Sequence, residues 1–230
     1  MKKSELVADY CKRHLSLDKA VLGDEYYYQS LPLCIIDAVF SIGIKYQTVQ
    51  KVVQRYCNFF KLSRIKKDKN IIPNIEEQQS VSEFIDLEKK YDFTNNVFCN
   101  KNRTSPHNGI LKSEAVFLFA NVLKEHDINY FQDMNKLYAN YYDISDDIMQ
   151  IQGQKSGISL KYFLMLAGND NLIKPDRQIS TFLQRVLNMT FDSNMAQILL
   201  SETCDILKKD YPSMNLRLLD HLIWNYQRDL

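Results

Sequence analysis

Helical spacing of the apolar residues is the feature that most constrains the fold of this chain. Only six glycines and five prolines interrupt 230 residues, and strict alternation of β-branched and polar residues is scarce. Apolar residues that recur at positions i, i+3, i+4 and i+7 are typical of amphipathic helices, whereas a period of two is typical of strands. The sequence therefore predicts an all-α fold, with helices that include residues 17–29, 46–62 and 175–187.

The length of the chain suits one compact unit made of two small lobes. We expect residues 1–230 to form this unit, with a core at residues 31–190 and a second lobe in which residues 1–30 and 191–230 pack together. Hydrophobic residues make up 45% and charged residues 25% of the chain, as in an ordinary globular protein. The formal net charge of +1 does not exclude nucleic-acid binding, because phosphates respond to a local basic patch.

Cysteine usage and hydropathy indicate the cellular location. Five cysteines lie far apart without a CxxC pair, which indicates neither a zinc site nor a disulfide framework and favours a reducing compartment. No apolar run approaches the length of a membrane-spanning helix, and the N-terminus lacks the apolar segment of a signal peptide. We therefore expect a cytoplasmic monomer with no membrane partner and no metal site.

The most informative local motif is a turn between two glycines, Gly153 and Gly157, that leads into an amphipathic segment. The apolar residues of that segment recur at helical spacing: Leu160, Phe163, Leu164 and Ala167. Glycine tolerates positive φ and lets the backbone approach a ligand, and free amides at a helix N-terminus favour phosphate. The motif therefore predicts a phosphate-binding segment made of Gly153, Gln154, Lys155, Ser156, Gly157, Ile158 and Ser159.

The Gly153–Ser159 segment is called the hairpin below. Two further segments precede it, LCIIDAVFSIGIKYQTVQKVVQRY and NGILKSEAVFLFANVL. Together with the hairpin they resemble, in order and spacing, the helix-hairpin-helix DNA glycosylases of the endonuclease III-like superfamily. The three segments span residues 31–190. The resemblance implies a two-lobed helical fold with a helix-hairpin-helix motif, a central cleft and a hairpin that grips double-stranded DNA.

In that superfamily an aspartate on the turn after the hairpin carries the chemistry, and Asp176 lies at the matching position. Cleavage of an N-glycosidic bond develops positive charge on the sugar, which a neighbouring carboxylate stabilises. The resemblance therefore implies that Asp176 is catalytic. The alternative is a structural role, because the helix dipole alone favours aspartate in a first helical turn.

Several positions depart from the superfamily pattern. Lys155 replaces the second glycine of the usual Gly-x-Gly hairpin, and Gly43 stands where endonuclease III carries the residue that wedges into the DNA stack. Bifunctional members carry a Schiff-base lysine at the position of Gly157, so the resemblance implies a monofunctional glycosylase. The C-terminal region contains only Cys204, which implies no iron–sulfur cluster, and we expect no other cofactor.

A second acid, Asp37, lies inside the apolar run 33–40, where an unpaired carboxylate is costly to bury. One hypothesis makes it catalytic, beside a pocket for a flipped base that is formed by Ser41, Tyr46 and Gln47. The other hypothesis gives Asp37 a structural hydrogen bond to a helix end or to an arginine.

Basic residues near these motifs are candidate phosphate contacts, which fix position rather than sequence. They are Lys112, Lys155, Lys161, Lys174 and Arg177. The resulting hypothesis is a DNA glycosylase that excises a damaged or modified base, in DNA repair or in antiviral defence. The alternatives are a non-catalytic DNA-binding module of the same fold and a helical interaction protein whose hairpin resemblance arose by chance.

Overall fold

The computed structural model describes residues 2–230, which contain helices and two isolated β-bridges but no strand. The all-α prediction is therefore confirmed. Within these residues the α-helices are α1 Lys3–His14, α2 Leu31–Phe40, α3 Tyr46–Phe60, α4 Val81–Glu88, α5 Lys112–Glu125, α6 Met134–Ala139, α7 Tyr141–Gln150, α8 Ile158–Leu166, α9 Arg177–Leu187, α10 Ser193–Leu207 and α11 Leu216–Arg228. Short 3-10 helices lie at Leu17–Lys19, Asp24–Tyr26, Ile75–Glu77 and Phe131–Asp133, and a π-helical turn lies at Phe93–Val97.

Capping residues explain where several helices begin. Ser80 accepts a hydrogen bond from the amide of Glu83, whose carboxylate accepts the amide of Ser80, so a capping box starts α4. Pro32 lies in the first turn of α2, where a missing amide costs nothing. Asp192 and Asn215 cap α10 and α11 through their side-chain oxygens, which satisfies amides that lack a helical partner.

The chain divides into two compact units. The inner unit is Asp24–Ala167, and the terminal unit combines the residues up to Gly23 with Gly168–Leu230. In the inner unit, α2 packs against α3, α5 and α8. In the terminal unit, α1 packs against α9 and α10, and α9 packs against α11. Asp176 and α9 therefore belong with the two ends of the chain, whereas the hairpin belongs to the inner unit.

The core of the inner unit is aliphatic around α2 and aromatic beside it. Every residue of α2 is buried. Tyr56, Phe84, Phe93 and Phe98 pack edge to face or tilted, with ring centroids between 5.2 and 6.1 Å apart, a geometry that aromatic quadrupoles favour. Burial of each such ring stabilises the fold by about 1.5–3 kcal/mol, so this aromatic cluster is a main part of the core of the inner unit.

Candidate functional site

The Gly153–Ser159 segment forms a tight turn between α7 and α8. The amide of Gln154 donates to the Ile151 carbonyl at 2.9 Å, and the amide of Gly157 donates to the Gln154 carbonyl at 2.9 Å. Gly153 and Gly157 have φ values of 88° and 67°, in the left-handed region that favours glycine. Gly157 is the N-cap of α8. A turn that leads directly into a helix is thus present where it was predicted.

Gly153 serves packing within the chain. A Cβ at this position would overlap the Thr104 side chain and come within 2.5 Å of its Oγ1. The Gln152 side chain also donates a hydrogen bond to the Asn108 carbonyl, so the turn is tied to the loop before α5. Packing against Thr104 is therefore enough to require glycine at position 153. At Gly157 a Cβ would meet only one sulfur atom, at 3.7 Å, so packing does not explain that glycine. The predicted contact of the segment with phosphate stays a prediction.

The hairpin side chains divide into buried and exposed groups. Gln154 and Ser159 are only 2% and 1% exposed, so their side chains face the interior of the protein. The predicted contact of this segment with phosphate through backbone amides stays a prediction. Lys155 and Ser156 are exposed. Their backbone amides donate to no backbone carbonyl among residues 2–230. The exposed tip of the turn therefore offers one cation and two free amides, which together suit an anion.

Lys112 is buried, and this corrects its predicted contact with phosphate. Its side chain is 1% exposed. Its Nζ donates to the carbonyls of Val39, Phe40 and Ile42 at 3.0, 2.9 and 2.6 Å. The carbonyls of Val39 and Phe40 belong to the last turn of α2 and that of Ile42 follows it, a position where the helix dipole favours a cation. Lys112 therefore stabilises the C-terminus of α2.

Asp37 has no exposed surface and accepts a hydrogen bond from the Tyr28 hydroxyl at 2.8 Å. Burial and the charge of Asp37 raise the pKa of Tyr28 well above its ordinary value, and the same two causes raise the pKa of Tyr46. Both hydroxyls consequently keep their protons. Because Asp37 has no exposed surface and accepts the Tyr28 hydroxyl, the structure favours the structural alternative over the predicted catalytic role.

The residues of the predicted base pocket lie where α2 ends and α3 begins. Tyr46 is half-buried and stacks on Tyr26, with centroids 5.7 Å apart and planes at 12°. Ser41 donates from Oγ to the Ala38 carbonyl at 3.1 Å, and Gln47 is exposed. The half-exposed Tyr26–Tyr46 pair is a flat aromatic surface of the kind on which a base stacks. The pocket itself stays a prediction.

Asp176 is the N-cap of α9, which begins at Arg177, later than predicted. Its Oδ1 accepts the amides of Gln178 and Ile179 at 2.8 and 3.4 Å. Its Oδ2 lies 3.9 Å from the Nζ of Lys174, and the side chain is 23% exposed. One carboxylate oxygen therefore holds the helix while the other faces a lysine.

Asp220 of α11 is not among the residues predicted from the sequence, yet it shares Lys174 with Asp176. Asp220 is 8% exposed, and its Oδ1 accepts the amide of Lys174 at 2.9 Å. Burial, followed by the charge of Asp176, raises the pKa of Asp220 to about 8, although Lys174 and Arg217 lower it. At neutral pH Asp220 therefore holds its proton beside a second carboxyl group, as in paired acids.

Lys174 lies beside Asp176, and its predicted contact with phosphate stays a prediction. Its side chain is 11% exposed, and its Nζ lies near Asp176. Among the other predicted phosphate contacts, Lys155 and Arg177 are exposed and Lys161 is half-buried. These three predicted contacts thus keep exposed or partly exposed side chains.

Two further side chains hold the loop 168–176, which carries Lys174 and Asp176. Arg217 of α11 donates its amide to the Asp170 carbonyl at 3.1 Å and its guanidinium to the Asp170 carboxylate at 3.4 Å. Gln197 of α10 accepts the amide of Ile173 at 3.1 Å and donates to the Asn171 carbonyl at 3.0 Å. The loop is therefore fixed from both α10 and α11.

A protein-family comparison places the chain. The model of a family described as a domain of unknown function, DUF8548, matches residues 5–228. The chain belongs to the DUF8548 family. No curated protein and no solved structure matches it.

The cysteines of the DUF8548 domain show no disulfide and no metal cluster within the described residues. Within residues 2–230 the five cysteines are free thiols, and no group of three or more His, Cys, Asp and Glu residues is placed to hold a metal ion. Burial raises the pKa of Cys11 to about 12 and that of Cys57 to about 11, so both remain thiols of low reactivity. None of the helices in these residues is long and apolar enough to cross a bilayer.

Proposed function

We propose that this protein is a monofunctional DNA glycosylase that flips a damaged or modified base out of double-stranded DNA and hydrolyses its N-glycosidic bond. The observation that carries the proposal is the Asp176 carboxylate at the start of α9, which is part-exposed and has an oxygen that the helix cap does not use. It follows a glycine turn with an exposed lysine, Lys155. This order matches the helix-hairpin-helix glycosylases that the sequence resembles.

The chemistry assigned to Asp176 is electrostatic. As the bond between sugar and base breaks, positive charge develops on the sugar, and a fixed anion lowers the energy of that state. In this proposal the part-exposed Asp176 carboxylate supplies that anion. Water then adds to the sugar and gives up a proton, while the base leaves with the electrons of the broken bond and is protonated. Gly157 offers no amine for a Schiff base, so we expect no strand cleavage.

The hairpin supplies the contact to the DNA backbone in this proposal. The free amides of Lys155 and Ser156 and the exposed ammonium of Lys155 suit one phosphate group. Lys161 of α8 and Arg177 of α9 are further candidate contacts that retain exposed surface. The Tyr26–Tyr46 pair would stack on the extruded base.

A non-catalytic DNA-binding module is the second candidate, and the capping role of Asp176 favours it. Two amides bind the Oδ1 of Asp176, so helix capping alone accounts for an aspartate at this position. In this alternative the hairpin binds phosphate with an affinity that falls as salt rises, and no base is released.

The experiment that separates the two candidates is base release from a panel of duplexes, followed by alkali to break abasic sites. The panel carries uracil, oxidised bases, alkylated bases, and hydroxymethylated or glucosylated cytosine, together with phage genomic DNA. Asp176→Asn keeps a good N-cap and removes the charge. Asp192→Asn is the matched control, because Asp192 caps α10 through the same two types of contact, at 2.9 and 2.8 Å.

We expect wild type and Asp192→Asn to produce alkali-dependent breaks in at least one duplex and Asp176→Asn to produce none. Salt-dependent binding without base release, unchanged by Asp176→Asn, would select the DNA-binding module. Breaks that form without alkali would contradict the monofunctional assignment that Gly157 supports.

A further inference from the structure

We propose that Asp220 is the positioning residue for Asp176, and that it holds the loop 168–176 in place only as a neutral acid. Where it concerns base release, the inference rests on the proposed function. Where it concerns the loop, it rests on the contacts of the terminal unit alone.

The first step is the contact between α11 and the loop. The Oδ1 of Asp220 accepts the amide of Lys174 at 2.9 Å. The carbonyl of the same residue, Lys174, accepts the amide of Asp176 at 2.7 Å. Asp220 therefore fixes the peptide segment that ends in the α9 cap, and a movement of Lys174 away from α11 would displace the Asp176 carboxylate.

The second step concerns the groups that surround Asp220. Lys174 and Asp176 face it from the loop and the α9 cap, and Arg217 faces it from its own helix. The next residue of α11, His221, hydrogen-bonds Asn225 at 2.9 Å. From α10 the loop receives Gln197, which is uncharged. Burial and then the charge of Asp176 oppose ionisation of Asp220, whereas the hydrogen bond from the Lys174 amide and the two cations favour it. The first two effects are larger, so the pKa of Asp220 rises to about 8.

The third step is what ionisation would do. An ionised Asp220 would be a second anion beside Asp176 in a position with 8% exposure, which is costly without water. Hydration of the Asp220 carboxylate would lower this cost most, and water can reach the carboxylate only if the loop separates from α11. Above a pH of about 8 the loop should therefore open, and Asp176 should lose its fixed position.

The test compares wild type, Asp220→Asn and Gln197→Ala at pH 7 and pH 9. Asparagine keeps an acceptor for the Lys174 amide and cannot ionise. Gln197→Ala is the matched control, because it removes another attachment of the loop but introduces no titration. Hydrogen exchange of peptides covering residues 168–176, corrected for the intrinsic pH dependence, reports loop opening without any substrate. Single-turnover base release at saturating protein reports activity apart from DNA affinity.

We expect wild-type loop protection to fall about tenfold between pH 7 and pH 9, because about one Asp220 in ten stays protonated one pH unit above its pKa. Single-turnover base release should fall by the same factor. Asp220→Asn should show neither fall. Gln197→Ala should lower protection at both pH values and keep the wild-type dependence on pH.

Equal protection of the wild-type loop at pH 7 and pH 9 would overturn the inference, and this comparison needs no substitution. An identical fall in Asp220→Asn would also overturn it, because the titrating group would then lie elsewhere. Failure of wild type to release any base would count against the proposed function and leave the exchange result to decide the role of Asp220.

Discussion

Asp220→Asn should make the protein more stable at neutral pH, where the folded protein holds Asp220 as a neutral acid. In the folded protein burial and Asp176 raise the pKa of Asp220 from 3.8 to about 8, whereas in the unfolded chain the pKa returns to its ordinary value. Between these values the folded state binds a proton that the unfolded chain has released. The stability that this proton confers is fully present below pH 3.8 and is lost as pH rises through about 8.

The magnitude follows from the width of that window. From the ordinary pKa of 3.8 to pH 7 is about three pH units, and each unit corresponds to about 1.4 kcal/mol. The wild type therefore loses at most about 4 kcal/mol of unfolding free energy by pH 7, from a total that is typically about 5–15 kcal/mol. Asparagine avoids this loss and retains an acceptor for the Lys174 amide.

Urea unfolding of both proteins at one-unit steps from pH 4 to pH 9 measures the effect. The difference in unfolding free energy should be near zero at pH 4, grow by about 1.4 kcal/mol per pH unit and level off near pH 8. Asp205→Asn is a suitable control, because the Asp205 side chain in the same unit is 72% exposed. A difference between wild type and Asp220→Asn that does not vary with pH would show that the pKa of Asp220 is the same in the folded and unfolded protein.

Three further predictions concern the inner unit. Gly153→Ala should destabilise the fold by about 2–4 kcal/mol in urea unfolding, because strain at positive φ adds to overlap with the Thr104 side chain. Gly43→Ala is the control and should cost about 1 kcal/mol, because Gly43 has a positive φ but open space around it. Lys112→Met should lower the free energy of unfolding by about 3 kcal/mol, because three carbonyls lose a charged donor. The same substitution should leave the salt dependence of DNA binding unchanged when binding is titrated by fluorescence anisotropy. Lys155→Ala should reduce the slope of that salt dependence by about one. Lys90→Ala, which removes another exposed lysine of the same unit, should leave the slope unchanged. Equal slopes for the two variants would contradict a phosphate contact at the turn.

Helical spacing predicts most of the elements of the fold but not the segment before α2. The prediction of a helix at residues 46–62 is confirmed to within two residues by α3, Tyr46–Phe60. The predicted helix at residues 17–29 is wrong, because only two 3-10 turns form there. Tertiary contacts explain this outcome: the amide of Gln29 donates to the Arg64 carbonyl at 3.0 Å, and the amide of Lys66 donates to the Tyr27 carbonyl at 2.9 Å. These backbone pairs lie far apart in the chain, and local spacing carries no information about them.

The candidate site shows the same division between local and tertiary information. The hairpin turn and the aspartate at the start of α9 are local features, so glycine spacing and a favourable position for a cap were enough to predict them. The burial of Lys112 depends on carbonyls about seventy residues away, and a lysine at a helix start gives no sign of it. Asp220 did carry a signal, because it lies four residues after Leu216 and three before Ile223 on the apolar face of α11.

Biosynthesis imposes an order on this fold. The inner unit is a continuous stretch, Asp24–Ala167, whereas the terminal unit joins both ends of the chain, as in the hydrogen bond from Thr203 Oγ1 to the Ser4 carbonyl at 3.4 Å. A chain leaves the ribosome from its N-terminus at about 5–20 residues per second. The turn between α7 and α8 can therefore form before α10 is synthesised and packs against α1. The acid pair needs α11 as well. A nascent chain should thus form the turn between α7 and α8 first, and bring Asp176 and Asp220 together only when synthesis is nearly finished.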